Sequence, residues 1–331
     1  MGYSVPQYLY LLSRAHRSDR TIELYRKTLK YYAAFLQVDM GDLHLHLTVG
    51  NLTDYAGHLD RLSPRGRALS LSILHRYYRL NEVRIPELEA NVIKQRAVRE
   101  QNDKPLTLDT LIRMMDLANI REKAMISMLV STGMRAGELA QLTLEDISGD
   151  TVTIPGAVTK GKHGRTVWLN AEAREYLDVW LKGRDGYKAG ATSRHFSPED
   201  MAADERLFCA SYSSIKRAWV KLYDRVDGER GKYRAKCTLH STRKYFRTNA
   251  VKKMSLDLVE TIMGHRGYLT EQYVRIPAAE AREEYHTGEY VLYITRADTR
   301  QTDSELKRLE EDMHLMKLAV ARLQERESSQ M

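Results

Sequence analysis

Apolar residues return every three or four positions through most of the first hundred residues. Between Ser18 and Gln37, the positions Leu24, Tyr25, Thr28, Leu29, Tyr32, Phe35 and Leu36 line one helical face, and Ser18 or Asp19 stands where a cap belongs. The stretches TVGNLTDYAGHLDRL and SPRGRALSLSILHRYYRL repeat the pattern, and Pro64 suits the first turn of the second. Several helices are therefore predicted over residues 1–98. HLHL, with His44 and His46, alternates instead, as a strand face or an ordinary loop would. The run VREQNDKPL, Val98 to Leu106, combines charge with a proline and predicts a linker over 99–106.

Beyond it, TLDTLIRMMDLANI, REKAMISMLVSTG and STGMRAGELAQL again carry helical periodicity. The last of these sets Arg135 and Glu138 one turn apart on one face of an amphipathic helix. The period then changes. TVTI and RTVWL, rich in β-branched and aromatic residues, flank a tight KGKHG turn and predict a small antiparallel sheet. Helices resume with AEAREYLDVWLK, a loop-rich region spans Gly183 to Asp200, and SYSSIKRAWVKLYDRV, HSTRKYFRTNAVKKM, LDLVETIMG and PAAEAREEYHTGE predict four more helices. The fold class is thus mostly α with a small antiparallel sheet, in a helical domain at 1–98 and a second domain at 107–290. In the tail, 291–331, Leu306, Leu309, Met313, Met316, Val320 and Leu323 alternate by three and four, a short coiled-coil seam or a helix that packs on its own domain.

Composition narrows the function. A net charge of +8 and a pI near 9.2 favour a polyanionic partner, with nucleic acid first among them. Two cysteines, Cys209 and Cys237, are no disulfide framework and suit a reducing compartment. No apolar run is long enough for a membrane span, and the N-terminus does not resemble a signal peptide, so a cytoplasmic location is expected. Cys237 and His240 have the spacing of half a zinc site, but the sequence holds no matching second half, and neither metal nor cofactor is expected. No phosphate-binding GxxxxGK[ST] run occurs either.

Four stretches carry reactive groups: TGMRAGE with Arg135 and Glu138; VTKGKHGR with Lys160 and Lys162; LHSTRKYF with His240 and Arg243 at i, i+3; and MGHRGYLTEQYVR with His265 and Tyr273. Together they suit a phosphodiester. Arginine pairs bidentately with its non-bridging oxygens and stays protonated, so two arginines supply the charge stabilisation that metal ions give elsewhere. A lysine or histidine protonates the departing sugar oxygen, and a tyrosine oxygen attacks in line. The cluster Arg243, Lys244, Arg247, Lys252 and Lys253 beside such a site suits DNA backbone contact, and Arg61, Arg65, Arg67, Arg76 and Arg79 suit the opposite side of a clamp.

STGMRAGELAQLTLEDI, TKGKHGRTVWL, LHSTRKYFRTNAV and IMGHRGYLTEQYV, in that order over about 105–280, resemble the motifs of the tyrosine recombinases, or phage integrases. The stretch after Tyr273, with RIPAAEAREEYH and then the heptad helix, more weakly resembles archaeal integrases. The resemblance implies a helical core-binding domain followed by a catalytic domain, closing as a clamp on double-stranded DNA. It implies a site-specific recombinase that cleaves and rejoins duplex DNA through a 3′-phosphotyrosyl intermediate, self-associating into a synaptic tetramer. Arg135 and Arg243 would hold the scissile phosphate, Lys160 would be the general acid, His240 the base facing the nucleophile, His265 a phosphate hydrogen-bonding group, Tyr273 the nucleophile and Glu138 a support. His265 and Tyr273 lie eight residues apart, closer than the family often sets them, which leaves Tyr268 and Tyr285 as alternative nucleophiles. Lys162 could exchange roles with Lys160. A type IB topoisomerase-like relaxation activity and a non-catalytic DNA-binding regulator of the same fold also remain open.

Overall fold

The computed structural model describes residues 2–86, 104–159, 161–190, 197, 199–200, 203–229, 237–265 and 277–295. The chain forms two compact units, Met1–Gln101 and Asn102–Met331. In the first, four helices are described: α1 (Val5–Arg14), α2 (Asp19–Leu36), α3 (Val49–His58) and α4 (Pro64–Leu80). Each of the last three begins at a hydroxyl cap; Ser18, Thr48 and Ser63 accept the N–H of Thr21, Asn51 and Gly66. Their core is rich in tyrosine. Tyr8, Tyr25, Tyr32, Tyr55, Tyr77 and Tyr78 are buried with Leu29, Leu52 and Leu74. Each buried hydroxyl needs a partner: Tyr78 donates to the Thr48 carbonyl at 2.9 Å, so the Tyr32 hydroxyl donates to Tyr78, and Tyr77 donates to the Tyr3 carbonyl at 2.9 Å. HLHL forms no strand; its first three residues fall in a 3₁₀ turn, Leu43–His46, and Leu47 caps it. Leu43 and Leu47 are buried while Leu45 is exposed, so the segment buries every fourth residue and not every second.

The second unit contains α5 (Leu108–Leu117), α6 (Ile120–Thr132), α7 (Ala136–Leu139), β1 (Ile147–Ser148), β2 (Thr151–Ile154), β3 (Arg165–Trp168), α8 (Ala171–Gly190), α9 (Tyr212–Val226), α10 (Leu239–Ala250), α11 (Leu256–Met263) and α12 (Ala278–Gly288). At its centre α6 is buried without interruption from Ala124 to Thr132, and it packs on α8 and α10. A helix covered on all sides has no polar stripe, which is why residues 124–132 are apolar or small. The sheet is antiparallel in the order β1–β2–β3, with Val152 opposite Val167 and Ile154 opposite Arg165. The helical class with a small antiparallel sheet thus stands as expected, with β1 added.

Three expectations change. The β2–β3 connection is no tight turn; it runs from residue 155 to 164 and includes a 3₁₀ turn, Gly156–Val158. Thr159 Oγ1 accepts the His163 N–H at 3.0 Å, and Gly156 is needed because a Cβ there would lie 2.8 Å from the Lys162 carbonyl oxygen. The supposed loop from Gly183 is helical as far as Gly190, because tertiary contacts override three glycines. Arg184 is buried and donates to the carbonyls of Leu207, Asp204 and Arg206, and Tyr187 lies under the Arg121 guanidinium. At the linker, Leu106 is buried, and Lys104 pairs with Asp227 at 2.8 Å and Glu229 at 3.1 Å, so 104–106 packs on the second unit. Its remaining residues lie outside those described, as do the tail heptads. The described chain packs past residue 290, however: the N–H groups of Ile294 and Thr295 donate to the buried Glu172 carboxylate at 2.5 and 2.6 Å. Among the described residues no helix is long and apolar enough to cross a membrane.

Candidate active site

The site gathers around the end of α6, the start of β3, the middle of α10 and the end of α11. Helix α6 stops at Gly133, whose φ of +58° lies in the left-handed region that favours glycine; a Cβ there would also fall 2.3 Å from the Phe246 ring. Arg135 follows, and it does not lie within a helix as its periodicity suggested. It is the extended N-cap residue of the four-residue α7, with Glu138 at the third helical position. Glu138 accepts the Arg135 N–H at 2.9 Å and the Arg135 guanidinium at 3.0 Å. The i, i+3 spacing thus records a capping box in which the arginine's own head group also takes part.

Glu138 is almost fully buried, and a second arginine accounts for that. Arg165 of β3 meets its carboxylate through two nitrogens, at 2.7 and 3.3 Å, and donates a further bond to the Ile262 carbonyl at 2.7 Å. Burial raises the Glu138 pKa, but the hydrogen bonds and charge of Arg165, with those of Arg135, outweigh it and hold the carboxyl below its usual range. Arg165 was not singled out from the sequence. A signal existed: it shares a strand face with Val167, which is fully buried, so the sheet's alternation aims it inward.

Arg243 projects from α10 into the same cluster and is 2% exposed. Its guanidinium donates to the Gly133 carbonyl at 2.6 Å, to the Met263 carbonyl, and to His265 Nε2 at 2.9 Å. None of these partners is a carboxylate. Burial, followed by the positive charges of Arg135 and Arg165, pushes its pKa down to about 10, still far above neutrality. His265 follows the left-handed Gly264 that ends α11, and its Nδ1 lies 2.6 Å from Glu260 Oε2. Glu260 also accepts from Arg247 Nε at 2.7 Å.

Arg135, Arg243 and His265 are therefore brought into one cluster, joined through Gly133, Glu138 and Arg165. His240 stands exposed one helical turn before Arg243. Lys160, Tyr268 and Tyr273 lie outside the described residues; Lys162 is exposed with a φ of +56°. Tyr285 does not suit a nucleophile. It is fully buried against Trp168, and its hydroxyl donates to the Ser131 carbonyl at 2.9 Å. Burial drives its pKa well above the usual phenol value. Cys237 is buried, and among the described residues no group of His, Cys, Asp and Glu could hold a metal ion.

This arrangement fits one family of sequences. The family model described as "Phage integrase family" matches residues 104–279, more than half of the chain. The chain belongs to the phage integrase family. Membership makes it an enzyme of the site-specific recombinase class, as the motif order implied. The match ends at residue 279 and carries no sign of an archaeal origin. A tyrosine recombinase of Pseudothermotoga lettingae is 23% identical over 270 residues, covering 79% of this chain and 88% of that protein. Two solved structures share the fold. A lambda integrase dimer bound to a COC' core site aligns with a TM-score of 0.58 at 18% identity, over 83% of this chain and 97% of that one. A lambda integrase tetramer bound to a Holliday junction aligns with a TM-score of 0.57 at 18% identity, over 82% and 79%.

Proposed function

We propose that the protein cuts and rejoins duplex DNA at specific sites through a covalent 3′-phosphotyrosyl intermediate. One observation carries this reading: Arg243 is a buried cation whose bonds go to two carbonyls and an imidazole, with Arg135 and Arg165 close by. A buried charge is costly unless paired. Among the described residues Glu138 pairs with Arg135 and Arg165 and no carboxylate bonds Arg243, so an anion supplied by a ligand would complete the cluster. A phosphodiester fits, because both arginines present donors to an oxygen whose charge grows as phosphorus becomes five-coordinate.

In this scheme the Tyr273 oxygen attacks phosphorus as His240 accepts its proton. The P–O5′ bond breaks while Lys160 donates a proton to the leaving oxygen, and His265 hydrogen-bonds a non-bridging oxygen. One phosphoester replaces another, so reversal reseals the strand without an external energy source. Residues 1–98 would grip the same duplex as 107–290. Like the lambda integrase seen as a tetramer on a Holliday junction, this chain would self-associate on two DNA sites, in the cytoplasm where the DNA lies.

The test is covalent capture on nicked duplex oligonucleotides drawn from the host or element genome. The wild-type protein is expected to form a protein–DNA adduct in chelator, Tyr273→Phe none, and Arg135→Ala one reduced by a factor of about 100 or more. Undiminished adduct with Tyr273→Phe would move the nucleophile elsewhere. Relaxation of supercoils without any pairing of sites would favour the topoisomerase reading.

A further inference from the structure

His265 has both ring nitrogens engaged, and the chemistry of its two neighbours fixes what each nitrogen does. Arg243 Nη2 has hydrogens and no lone pair, so at 2.9 Å it donates and His265 Nε2 accepts. Nε2 is therefore unprotonated. The ring hydrogen must sit on Nδ1, where it points at the Glu260 carboxylate 2.6 Å away. Burial would raise the Glu260 pKa, but hydrogen bonds from Arg247 and His265 outweigh it and keep this carboxylate ionised. In this geometry Nε2 is an acceptor.

A phosphate oxygen is also only an acceptor. If His265 is to bond one, Nε2 must carry a hydrogen, and Nδ1 cannot give up its own without stranding the Glu260 contact. We propose that Glu260 is a positioning residue for His265, and that seating a phosphate at this site draws one proton from solvent onto His265 Nε2. The inference rests on the phosphate-binding reading above. Before the event, Nε2 accepts from Arg243; afterwards it donates to the phosphate, and the freed Arg243 N–H turns to the same ligand. The imidazolium is flanked by the fixed charge of Glu260 on one side and the phosphate on the other.

The charges around the ring weigh both ways. From α10, Arg243 and Arg247 oppose a further positive charge. From β3, Arg165 does the same; its guanidinium packs where a Cβ on Gly264 would stand, 3.2 Å from Nη1. Arg135, at the cap of α7, adds to them, and Glu138 offsets part of that charge. Glu260 is the only carboxylate bonded to the ring among the described residues. Without it, the ring keeps its bond to Arg243, with Arg247, Arg165 and Arg135 in the same cluster, and phosphate binding must overcome their charge alone.

Histidine-selective ¹⁵N NMR reads this directly. The signals are assigned with His265→Asn, and the probe is a mixed-sequence duplex oligonucleotide added to the Tyr273→Phe protein at about pH 8, above the usual histidine range. In the free protein His265 is expected as the Nδ1–H tautomer, and on adding duplex as imidazolium. Glu260→Gln keeps an acceptor for Nδ1 but no charge, so it should retain the tautomer and lose the protonated signal. Glu260→Ala should lose both. In cleavage assays the alkaline limb of the rate profile should move toward acid in Glu260→Gln, while KM for DNA rises less than kcat falls. An Nε2–H tautomer in the free protein, or an unaltered protonated signal in Glu260→Gln, would overturn the proposal even if Tyr273 and the arginines behave as expected. Failure of the wild-type protein to bind or cut any duplex would instead remove the functional reading, while the free-protein tautomer still judges Glu260.

Discussion

Glu138 and Tyr285 show how differently a buried polar side chain can serve. Glu138 holds two arginines at once, so Glu138→Gln strands the buried side of the Arg165 pair and should cost on the order of 3 kcal/mol. The pH dependence has a definite sign. The folded-state pKa of Glu138 is depressed, so its contribution is present above the unfolded carboxylate value and fades as pH falls through the folded one. Thermal melts should therefore separate the wild-type protein from Glu138→Gln at neutral pH and draw together in acid. Equal separation at both ends would mean that the charge of Glu138 is not what stabilises the fold. Among the described residues Tyr285 holds only a backbone carbonyl by its hydroxyl. Tyr285→Phe should lose about 1 kcal/mol of stability and keep full adduct formation, which denaturant titration and covalent capture would read on one sample. An absence of adduct would return Tyr285 to candidacy.

Among the elements, the turn between α6 and α7 controls most. Gly133 places its own carbonyl on Arg243, sets Arg135 two residues later, and lies against Phe246 of α10. In Gly133→Ala the positive φ costs about 1 kcal/mol, and the methyl collides with a ring that α10 cannot withdraw without carrying Arg243 along. Both the melting temperature and the cleavage rate are expected to fall. Gly137, inside α7, has nothing within 4 Å of its missing Cβ. Gly137→Ala should leave stability unchanged or raise it by up to about 1 kcal/mol through helix propensity. A matched loss in both variants would show that any methyl here is harmful and that the turn geometry is not special. The helices themselves were legible from spacing, since α2, α4, α9 and α10 stand close to where apolar periodicity puts them. The cap position of Arg135, the ten-residue β2–β3 connection and the helical Gly183–Gly190 segment were not. The first two turn on short-range polar contacts, Arg135 with Glu138 and Thr159 with His163, that apolar periodicity does not encode, and the third depends on carbonyls distant in the chain, those of Asp204, Arg206 and Leu207.

At the scale of the molecule, charge is distributed for a polyanion. Helix α4 contains no acidic residue, and Arg65, Leu69, Ser72, Arg76 and Arg79 form one exposed stripe along it. Arg67, on another side, is engaged with Asp60 at 3.1 Å and with the Ala56 carbonyl. If the stripe meets DNA phosphates, Arg65→Ala and Arg79→Ala should each reduce the dependence of log affinity on log salt by about one, whereas Arg67→Ala should lower thermal stability and leave the slope alone. Fluorescence anisotropy over a salt series checks this; unchanged slopes in the stripe variants would place the DNA on another face.

The sequence by itself determined the helical periodicities, the basic balance and the order of four reactive motifs, because these are properties of neighbours along the chain. Tertiary structure alone decided that Arg243 is buried with no carboxylate bonded to it among the described residues, that Arg165 braces Glu138 from β3, and that Glu260 meets His265. Glu138 and Arg165 are 27 positions apart, and Arg243 and His265 are 22. Such groups meet only when packed helices and a strand bring their chain reversals to one place, and their charge acquires its meaning there because water has been excluded.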